Sequence, residues 1–347
     1  MKTMLGTFIV LALMGIVSHG AEIATTDFAV THRSIDDSYK VAKIDPTVSL
    51  HVREVVLSGN ERRTSMEGKV VLFVHGAVSP GYVAFDGTCR GCSMMRHFAL
   101  AGWDTYALDL EGYGRSTRQP TMEMPEAFPQ AKAPTSTDVA VDDVSRVVEF
   151  IRDLRGVDKV YLVGWSLGAS RIVPIYTIQH SNRVAKIALY APGYRNLGWV
   201  EGLRANADGL EKTKVLLSRQ NLADWQIMGA TEATFTLEAH EAHRDAVLAS
   251  DPRPGDFGGQ ARFASGWVAD LLRANPSFDA AKVIVPTLVV RGSLDTFATA
   301  SDNQVLAKEI GAAKKKYVEI PGGSHFLQYE VPSAKFFQAV QEFFEEK

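Results

Sequence analysis

The sequence has only two cysteines in 347 residues and no excess of basic side chains. The 37 Lys and Arg residues and the 40 Asp and Glu residues give a formal net charge of −3, so we do not expect a surface that binds nucleic acid. No repeat with a period of about 20–50 residues is visible, which excludes solenoids and propellers. The apolar content of 46% is too high for a disordered chain and is typical of a globular protein with a large core.

The apolar run at the N-terminus is too short to span a bilayer. Lys2 precedes the apolar run 4–17, and small residues follow from Ser18 to Ala21. A positive start, about fourteen apolar residues and a small-residue cleavage site are typical of a secretory signal peptide, whereas a spanning helix needs about 20 apolar residues. We therefore expect residues 1–20 to be removed from a periplasmic or secreted protein that has no stable membrane insertion afterwards. An uncleaved N-terminal anchor is the alternative.

The two cysteines, Cys89 and Cys92, have the spacing C-x-x-C. In an exported protein this spacing favours a small local disulfide. Free thiols are one alternative, and redox or metal chemistry is another. Because two thiolates alone do not complete a tetrahedral zinc site, we expect no metal.

Apolar runs separated by helical patterns organise most of the chain. The predicted strands are residues 50–53, 69–74, 104–110, 159–163, 184–190, 283–290 and 317–320. Helical patterns lie between several of them, as at 139–154 and 335–344. Strands that alternate with helices predict an α/β fold whose mostly parallel sheet has helices on both faces.

Three segments do not follow this alternation. Residues 22–48 are weakly periodic, and we expect them to run over the surface. Residues 117–138 contain four prolines and predict a long loop. Residues 193–278 lack buried strand runs and show helical patterns between two predicted strands, which indicates an inserted helical cap. The α/β core would then comprise residues 21–192 and 279–347.

The pentapeptide Gly164-Trp165-Ser166-Leu167-Gly168 directly follows a predicted strand and precedes a helical stretch. A G-x-S-x-G sequence in this context is typical of a nucleophile elbow. The glycines allow a sharp turn that lifts the serine hydroxyl above the sheet, and the helix N-terminus favours developing negative charge there. We predict that Ser166 is a nucleophile; a tight turn with an incidental serine is the alternative.

A serine needs a neighbouring base to take its proton. His325 is the candidate, because it lies in a glycine-containing loop after the last predicted strand and because imidazole titrates near neutral pH. A hydrogen-bonding role within the loop is the alternative for His325.

The imidazole in turn needs a carboxylate to fix its tautomer. Asp295 follows the strand predicted at 283–290, and open α/β sheets place their sites at the C-terminal ends of strands. A turn carboxylate is the other interpretation of Asp295. Asp302 and Asp109 are the alternative acids, although Asp109 is better placed to anchor the glycine turn that follows it.

Acyl transfer also requires hydrogen-bond donors for the oxyanion. The backbone N–H of Leu167, directly after the nucleophile, is one candidate. The second candidate is the N–H of Ala77, in the loop after the strand predicted at 69–74. In that loop Gly76 permits a close backbone approach, and we expect His75 to bond to the backbone rather than to substrate.

Five motifs occur in the order Ser…Asp…His: FVHGA, DLEGYGRS, GWSLGAS, RGSLD and GGSHF. Together they resemble the α/β-hydrolase superfamily, in its lidded branch of esterases, lipases and epoxide-hydrolase-like enzymes. The resemblance covers roughly residues 49–345 and implies an eight-stranded, mostly parallel sheet and no cofactor. Epoxide hydrolases and haloalkane dehalogenases of this branch use aspartate at the elbow, so Ser166 argues against both activities.

The pattern His240-Glu241-Ala242-His243-Arg244 is close to a metalloprotease helix but has arginine where the second metal-binding histidine is required. His240 and His243 share one helix face, and we expect them to be solvated or substrate-facing. Adventitious metal binding is the alternative.

These features predict a serine hydrolase that cleaves an ester-like acyl bond of a small to medium, largely apolar molecule. The same residues could instead cleave an amide, lactone, thioester or carbon–carbon bond or catalyse perhydrolysis, and a catalytically silent binding protein is the alternative of another class. We expect the cap to select the substrate and to supply no catalytic group. Four aromatic residues of the cap are candidates for a pocket lining or, equally, for a lid core: Trp199, Trp225, Phe235 and Trp267.

Overall fold

The computed structural model describes residues 23–32, 48–57, 68–123, 135–195, 215–227 and 236–347. These residues form an eight-stranded sheet flanked by helices and a separate two-stranded sheet. The predicted signal peptide, residues 1–20, lies outside the described residues.

The strands follow one another along the chain as β1 (Ile23–His32), β2 (Val48–Leu57), β3 (Val70–Val74), β4 (Asp104–Leu108), β5 (Val160–Trp165), β6 (Val184–Tyr190), β7 (Val215–Leu217), β8 (Ala261–Phe263), β9 (Thr287–Gly292) and β10 (Lys315–Ile320). The large sheet has the order β1-β2-β4-β3-β5-β6-β9-β10. In this sheet order, all neighbouring strands from β4 through β3, β5, β6 and β9 to β10 are parallel. Strand β2 is antiparallel to both of its neighbours, β1 and β4. The predicted eight-stranded, mostly parallel sheet is confirmed.

The central strands β3 and β9 are buried along their whole length because both of their faces are covered. All five residues of β3 and all six of β9 are buried, as is typical of parallel strands under helices on both sides. The edge strand β10 is more exposed at its start. The catalytic candidates follow β5, β9 and β10 in the chain.

Two predicted segments differ from the structure. Residues 22–48 were expected to run over the surface, but the described part of this segment forms β1, which pairs with β2 along ten residues at the sheet edge. The weak side-chain periodicity did not reveal this strand. The strand predicted at 283–290 begins instead at Thr287, because Pro286 has no N–H to donate to a ladder.

The helices are α1 (Gly81–Phe85), α2 (Met94–Leu100), α3 (Thr137–Arg155), α4 (Val173–Gln179), α5 (Arg219–Ile227), α6 (Leu237–Ala249), α7 (Gly266–Arg273), α8 (Ala300–Glu309) and α9 (Ser333–Glu345). The helices predicted at 139–154 and 335–344 correspond to α3 and α9. Ser136 caps α3 by accepting the N–H of Val139, and Gly156 ends it in the left-handed conformation. No helix within the described ranges is long and apolar enough to cross a membrane.

The region expected to be an inserted cap, residues 193–278, contains α5, α6 and α7 between β6 and β9. It is not wholly helical, since β7 and β8 form a short antiparallel sheet. Hydrogen bonds join this cap to the core: Tyr113 Oη donates to the carbonyl oxygen of Ala264 at 3.0 Å, and the Trp267 N–H donates to that of Thr135 at 2.8 Å. The described part of the cap is therefore held firmly on the core.

Candidate active site

The turn after β5 places Ser166 at the top of the sheet in a strained conformation. Its φ of 52° lies in the left-handed region, which a non-glycine residue rarely adopts. A Cβ on Gly164 would lie 2.9 Å from the backbone of Ala169, and one on Gly168 would lie 2.5 Å from the carbonyl oxygen of His75. Both glycines are thus needed for the turn to close, and Ser166 is more exposed than its immediate neighbours.

The side chains of Ser166, His325 and Asp295 form a continuous line of hydrogen bonds. His325 Nε2 lies 2.8 Å from Ser166 Oγ, and His325 Nδ1 lies 2.8 Å from Asp295 Oδ2. An ionised carboxylate only accepts hydrogen bonds, so Nδ1 carries the imidazole proton of the neutral ring. The lone pair of Nε2 then faces the serine hydroxyl, which is the orientation that a general base requires.

The loop after β9 fixes the carboxylate of Asp295. Its second oxygen, Oδ1, accepts the backbone N–H groups of Phe297 at 2.8 Å and Ala298 at 2.9 Å. The guanidinium of Arg291 donates to the carbonyl oxygens of Asp295 and Ala298 at 2.8 and 2.7 Å. Because both carboxylate oxygens have donors, the side chain holds one rotamer towards His325.

The backbone around His325 is held from below by aromatic residues of the central strands. Trp165 Nε1 and Tyr190 Oη donate to the His325 carbonyl oxygen at 3.0 and 2.8 Å. Trp165 lies directly before Ser166 in the chain, so one residue links the two members of the Ser166–His325 pair. No local pattern predicts this contact, because Trp165 and His325 are 160 positions apart.

A buried carboxylate, Glu330, supports the same loop. Its Oε2 accepts the Ser324 N–H at 2.6 Å, and its Oε1 accepts the Ser324 hydroxyl. Burial raises the pKa of Glu330 to about 7, with the charge of Asp295 adding to the rise and the bonds from Ser324 opposing it. Nothing in the local sequence pattern distinguished Glu330 from a surface carboxylate.

The loop between β3 and α1, residues 75–80, lies directly against the elbow. A Cβ on Gly76 would lie 3.0 Å from Ser166 Cβ, so the backbone of this loop approaches Ser166 as closely as a glycine allows. His75 bonds to the backbone, as expected: its Nδ1 lies 2.7 Å from the Gly76 carbonyl oxygen, and its Nε2 accepts the Leu110 N–H at 3.1 Å. Burial lowers the pKa of His75 to about 4, so the ring is neutral at neutral pH.

The two alternative acids have other partners. Asp109 Oδ2 lies 2.8 Å from His51 Nδ1 and accepts the Arg115 N–H at 3.1 Å, so it anchors the turn that follows β4. Asp302 accepts the N–H groups of Tyr194 and Arg195 at 2.7 and 2.9 Å. The structure therefore brings Asp295, rather than either alternative, to His325.

Two of the four aromatic residues named for the cap lie in the described part of the chain. Trp267 has no exposed surface, and its Nε1 donates to Tyr113 Oη at 3.0 Å. It packs as core between the cap and the ring of His75, at a centroid distance of 6.2 Å. Trp225 is half-buried on α5. Trp199 and Phe235 lie outside the described residues.

His240 and His243 were expected to be solvated or substrate-facing; both are buried on α6, so neither is solvated. Burial lowers the pKa of each to about 3. Within the described ranges no group of three or more His, Cys, Asp or Glu side chains could hold a metal ion.

Comparison with known proteins shows which fold family the chain shares. The family model of the alpha/beta hydrolase fold matches residues 69–332. An esterase from Thermogutta terrifontis superimposes with a TM-score of 0.62 at 18% identity, over 91% of this chain and 97% of that chain. An esterase from Exiguobacterium antarcticum gives 0.61 at 15% identity, over 92% of this chain and 100% of that chain. The thioesterase domain of the curacin biosynthetic pathway gives 0.57 at 15% identity, over 92% and 99% of the two chains.

The sheet order and the strained serine turn after β5 define a protein of the parallel α/β class with a sharp strand–helix turn at Ser166. The match of the family model over most of the chain makes the assignment specific: the chain belongs to the alpha/beta hydrolase fold family. At this low identity the solved structures show the shared fold alone. They include both esterases and a thioesterase domain, so the kind of bond cleaved has to be argued from the site itself.

Proposed function

We propose that the protein is a serine hydrolase that cleaves an ester-like acyl bond through an acyl-enzyme on Ser166. The observation that carries the proposal is the hydrogen-bonded sequence Ser166 Oγ–His325 Nε2 and His325 Nδ1–Asp295 Oδ2, with 2.8 Å at each step. A buried, doubly held carboxylate next to an imidazole that faces a half-buried serine is the arrangement that activates a hydroxyl.

In the first half-reaction Ser166 Oγ attacks the substrate carbonyl carbon, and its proton moves to His325 Nε2. Asp295 keeps the Nδ1–H and stabilises the imidazolium that forms. Collapse of the tetrahedral intermediate breaks the bond to the leaving group, which takes the proton from His325. In the second half-reaction water attacks the acyl-enzyme with the same histidine as base and releases the acid and free Ser166.

The oxyanion of each intermediate is assigned to the backbone N–H groups of Leu167 and Ala77. Leu167 begins the helical turn after the nucleophile, where the helix dipole favours negative charge. Ala77 follows the glycine whose backbone lies against Ser166. Loss of one such donor typically lowers kcat by about 10²–10³-fold.

The surroundings of the base favour an uncharged, largely apolar substrate. The rings of Phe297 and Phe326 have centroids 4.9 and 5.8 Å from that of His325. An alcohol is a better leaving group than an amine, so this machinery cleaves an ester more readily than an amide. Amides, lactones and thioesters proceed through the same tetrahedral intermediate and are therefore separate arms of the test.

A fluorophosphonate probe followed by peptide mapping tests the nucleophile. We expect one adduct at Ser166 in the wild type and none in Ser166→Ala, while Ser301→Ala, which changes an exposed serine on α8, labels as the wild type does. A panel of p-nitrophenyl esters, anilides, lactones and thioesters then ranks the bonds. An unlabelled, folded wild type would show a binding protein instead of a serine hydrolase.

We also infer that the protein is exported. The support is the charged, apolar and small-residue sequence at positions 1–20, together with Cys89 and Cys92, whose Cα atoms lie 5.3 Å apart, within the range of a disulfide. N-terminal sequencing of protein from the periplasm or medium should begin near Ala21. An intact Met1 on protein in the cytoplasm would contradict export.

A further inference from the structure

A second serine–histidine pair lies between the cap and the core. His243, on α6 of the cap, has its Nε2 2.7 Å from Ser79 Oγ in the β3–α1 loop. Both side chains are buried, and they are 164 positions apart in the sequence. The mechanism proposed above does not use either residue.

Gln226 on α5 determines which member of this pair donates the hydrogen bond. Its Oε1 accepts from Arg244 Nη1 at 2.8 Å, and its Nε2 donates to the carbonyl oxygen of His240 at 3.2 Å. A guanidinium only donates and a carbonyl oxygen only accepts, so two independent contacts fix which end of the amide is nitrogen. That nitrogen also lies 2.7 Å from His243 Nδ1.

The amide nitrogen of Gln226 therefore donates to His243 Nδ1, which must be unprotonated. Burial and the neighbouring charges of His240 and Arg244 lower the pKa of His243 to about 3, so the ring is neutral and its single proton is on Nε2. His243 consequently donates to Ser79 Oγ. It does not accept the serine proton, and the pair is no second nucleophile.

The bond acts on the loop that carries Ala77. His75 fixes the start of this loop to the core through Leu110, and Ser79 fixes its end to α6. Ala77 lies midway, two residues from each fixed point. The two histidines are neutral near pH 7, because burial lowers the pKa of His75 to about 4 and that of His243 to about 3.

We propose that His243 is a positioning residue that, by donating to Ser79, holds the β3–α1 loop with its Ala77 amide in place for the oxyanion of the reaction at Ser166. This inference rests on the proposed function. It means that the cap contributes to the rate of the chemical steps, beyond selecting substrate. A loop displaced by about 1 Å would weaken the bond to the oxyanion, and misplacement of that size can cost about 10²-fold in rate.

The test compares variants at both ends of the bond by steady-state kinetics on the best ester of the panel. His243→Leu removes the donor at similar volume, and Ser79→Ala removes the acceptor. We expect each to lower kcat by about 10–100-fold with KM changed by less than about threefold. The kcat of the double variant should lie within about twofold of the kcat of the slower single variant, because both changes remove the same hydrogen bond.

Two controls separate positioning from a loss of structure. Val247→Ala alters the same face of α6 one turn along, at another buried position, and should reduce stability with little change in kcat. His243→Gln restores an N–H donor near the position of Nε2 and should recover most of the kcat lost in His243→Leu. If His243→Leu does not fold, Ser79→Ala carries the test alone.

Binding of a trifluoromethyl ketone, whose adduct places an oxyanion at the Ser166 site, gives a readout that a purely structural role would not change. Its inhibition constant should rise by the same factor as kcat/KM falls in Ser79→Ala. Wild-type kcat in folded Ser79→Ala and His243→Leu, or an equal loss in Val247→Ala, would overturn the inference. Failure of the wild type to react with fluorophosphonate would instead overturn the proposed function.

Discussion

Two serine–histidine pairs in the described part of the chain have almost the same Ser–His distance and opposite proton directions. Ser166 and His325 are 2.8 Å apart, and Ser79 and His243 are 2.7 Å apart. They differ in what faces Nδ1: the acceptor Asp295 in the first pair and the donor amide of Gln226 in the second. The partner on the far nitrogen therefore decides whether an imidazole is a base or a donor, and a short Ser–His distance alone does not identify a nucleophile.

The largest effect on kcat should appear when each of the two serines is replaced by alanine. Ser166→Ala should lower kcat by about 10⁴–10⁶-fold, because the nucleophile is lost, whereas Ser79→Ala should lose about 10–100-fold through the loop. Steady-state kinetics with an active-site titration checks the difference. Equal losses in two folded variants would remove the distinction between the pairs.

A change of the Nδ1 partner in the first pair should come next. Asp295→Asn presents an amide that can donate to Nδ1, which turns the imidazole towards the tautomer seen in His243, and kcat should fall by about 10³–10⁴-fold. Asp302→Asn, which alters a carboxylate bonded to Tyr194 and Arg195, is the control and should stay within about threefold of wild type. The reverse ranking would move the acid role to Asp302.

The opposite exchange sharpens the comparison in the second pair. Gln226→Glu places a carboxylate against His243 Nδ1, and an adjacent negative charge favours the imidazolium. The pKa of His243 should rise from about 3 towards the ordinary value of about 6.5. NMR titration of labelled histidine measures the shift, with Gln220→Glu on the exposed surface of α5 as the control. An unchanged titration would contradict the contact between the side chain of residue 226 and His243 Nδ1.

The supporting carboxylate Glu330 should make stability depend on pH. Its pKa is raised to about 7 in the folded state from about 4.5, so between these values the folded protein binds a proton that the unfolded chain has released. Stability from this group is therefore highest below about pH 4.5 and falls as pH rises to about 7, by on the order of 1–3 kcal/mol. Urea unfolding of wild type and Glu330→Gln between pH 5 and 8 should show this slope only in the wild type.

The smallest effect should come from Cys89 and Cys92, which belong to neither pair. Their loop is short, so replacing both with serine should lower the free energy of unfolding by at most about 2 kcal/mol and leave kcat unchanged. Intact mass before and after reduction and alkylation tests the pairing itself. Two thiols that alkylate without reductant in exported protein would contradict the disulfide.

The first pair was visible in the sequence because each member sits in a local pattern. Ser166 follows an apolar strand and stands between two glycines, and Asp295 and His325 each follow a strand. Parallel strands bring their C-terminal ends together, so the pattern alone predicted which residues meet. The sheet was predictable for the same reason, since buried parallel strands are continuous apolar runs.

The second pair had no such signal. His243 lies in a helix of mixed polarity, and Ser79 lies in a loop, so both match ordinary surface positions until the cap is packed on the core. The direction of the bond depends further on Gln226 on α5 and Arg244 on α6. Neither residue has a characteristic sequence spacing from Ser79 that would predict the contact. Edge strand β1 was missed for a related reason, because backbone pairing leaves little trace in side-chain order.

The β3–α1 loop is fixed at one end by the core and at the other by the cap, which has a consequence for redesigning or replacing the cap. A graft that exchanges residues 193–278 for the lid of another hydrolase would remove the partner of Ser79 along with the old specificity. Such a chimera should bind its new substrate and yet turn it over slowly. Changing residue 79 together with the graft, to match whatever the new helix presents, is the substitution that we expect to restore the rate.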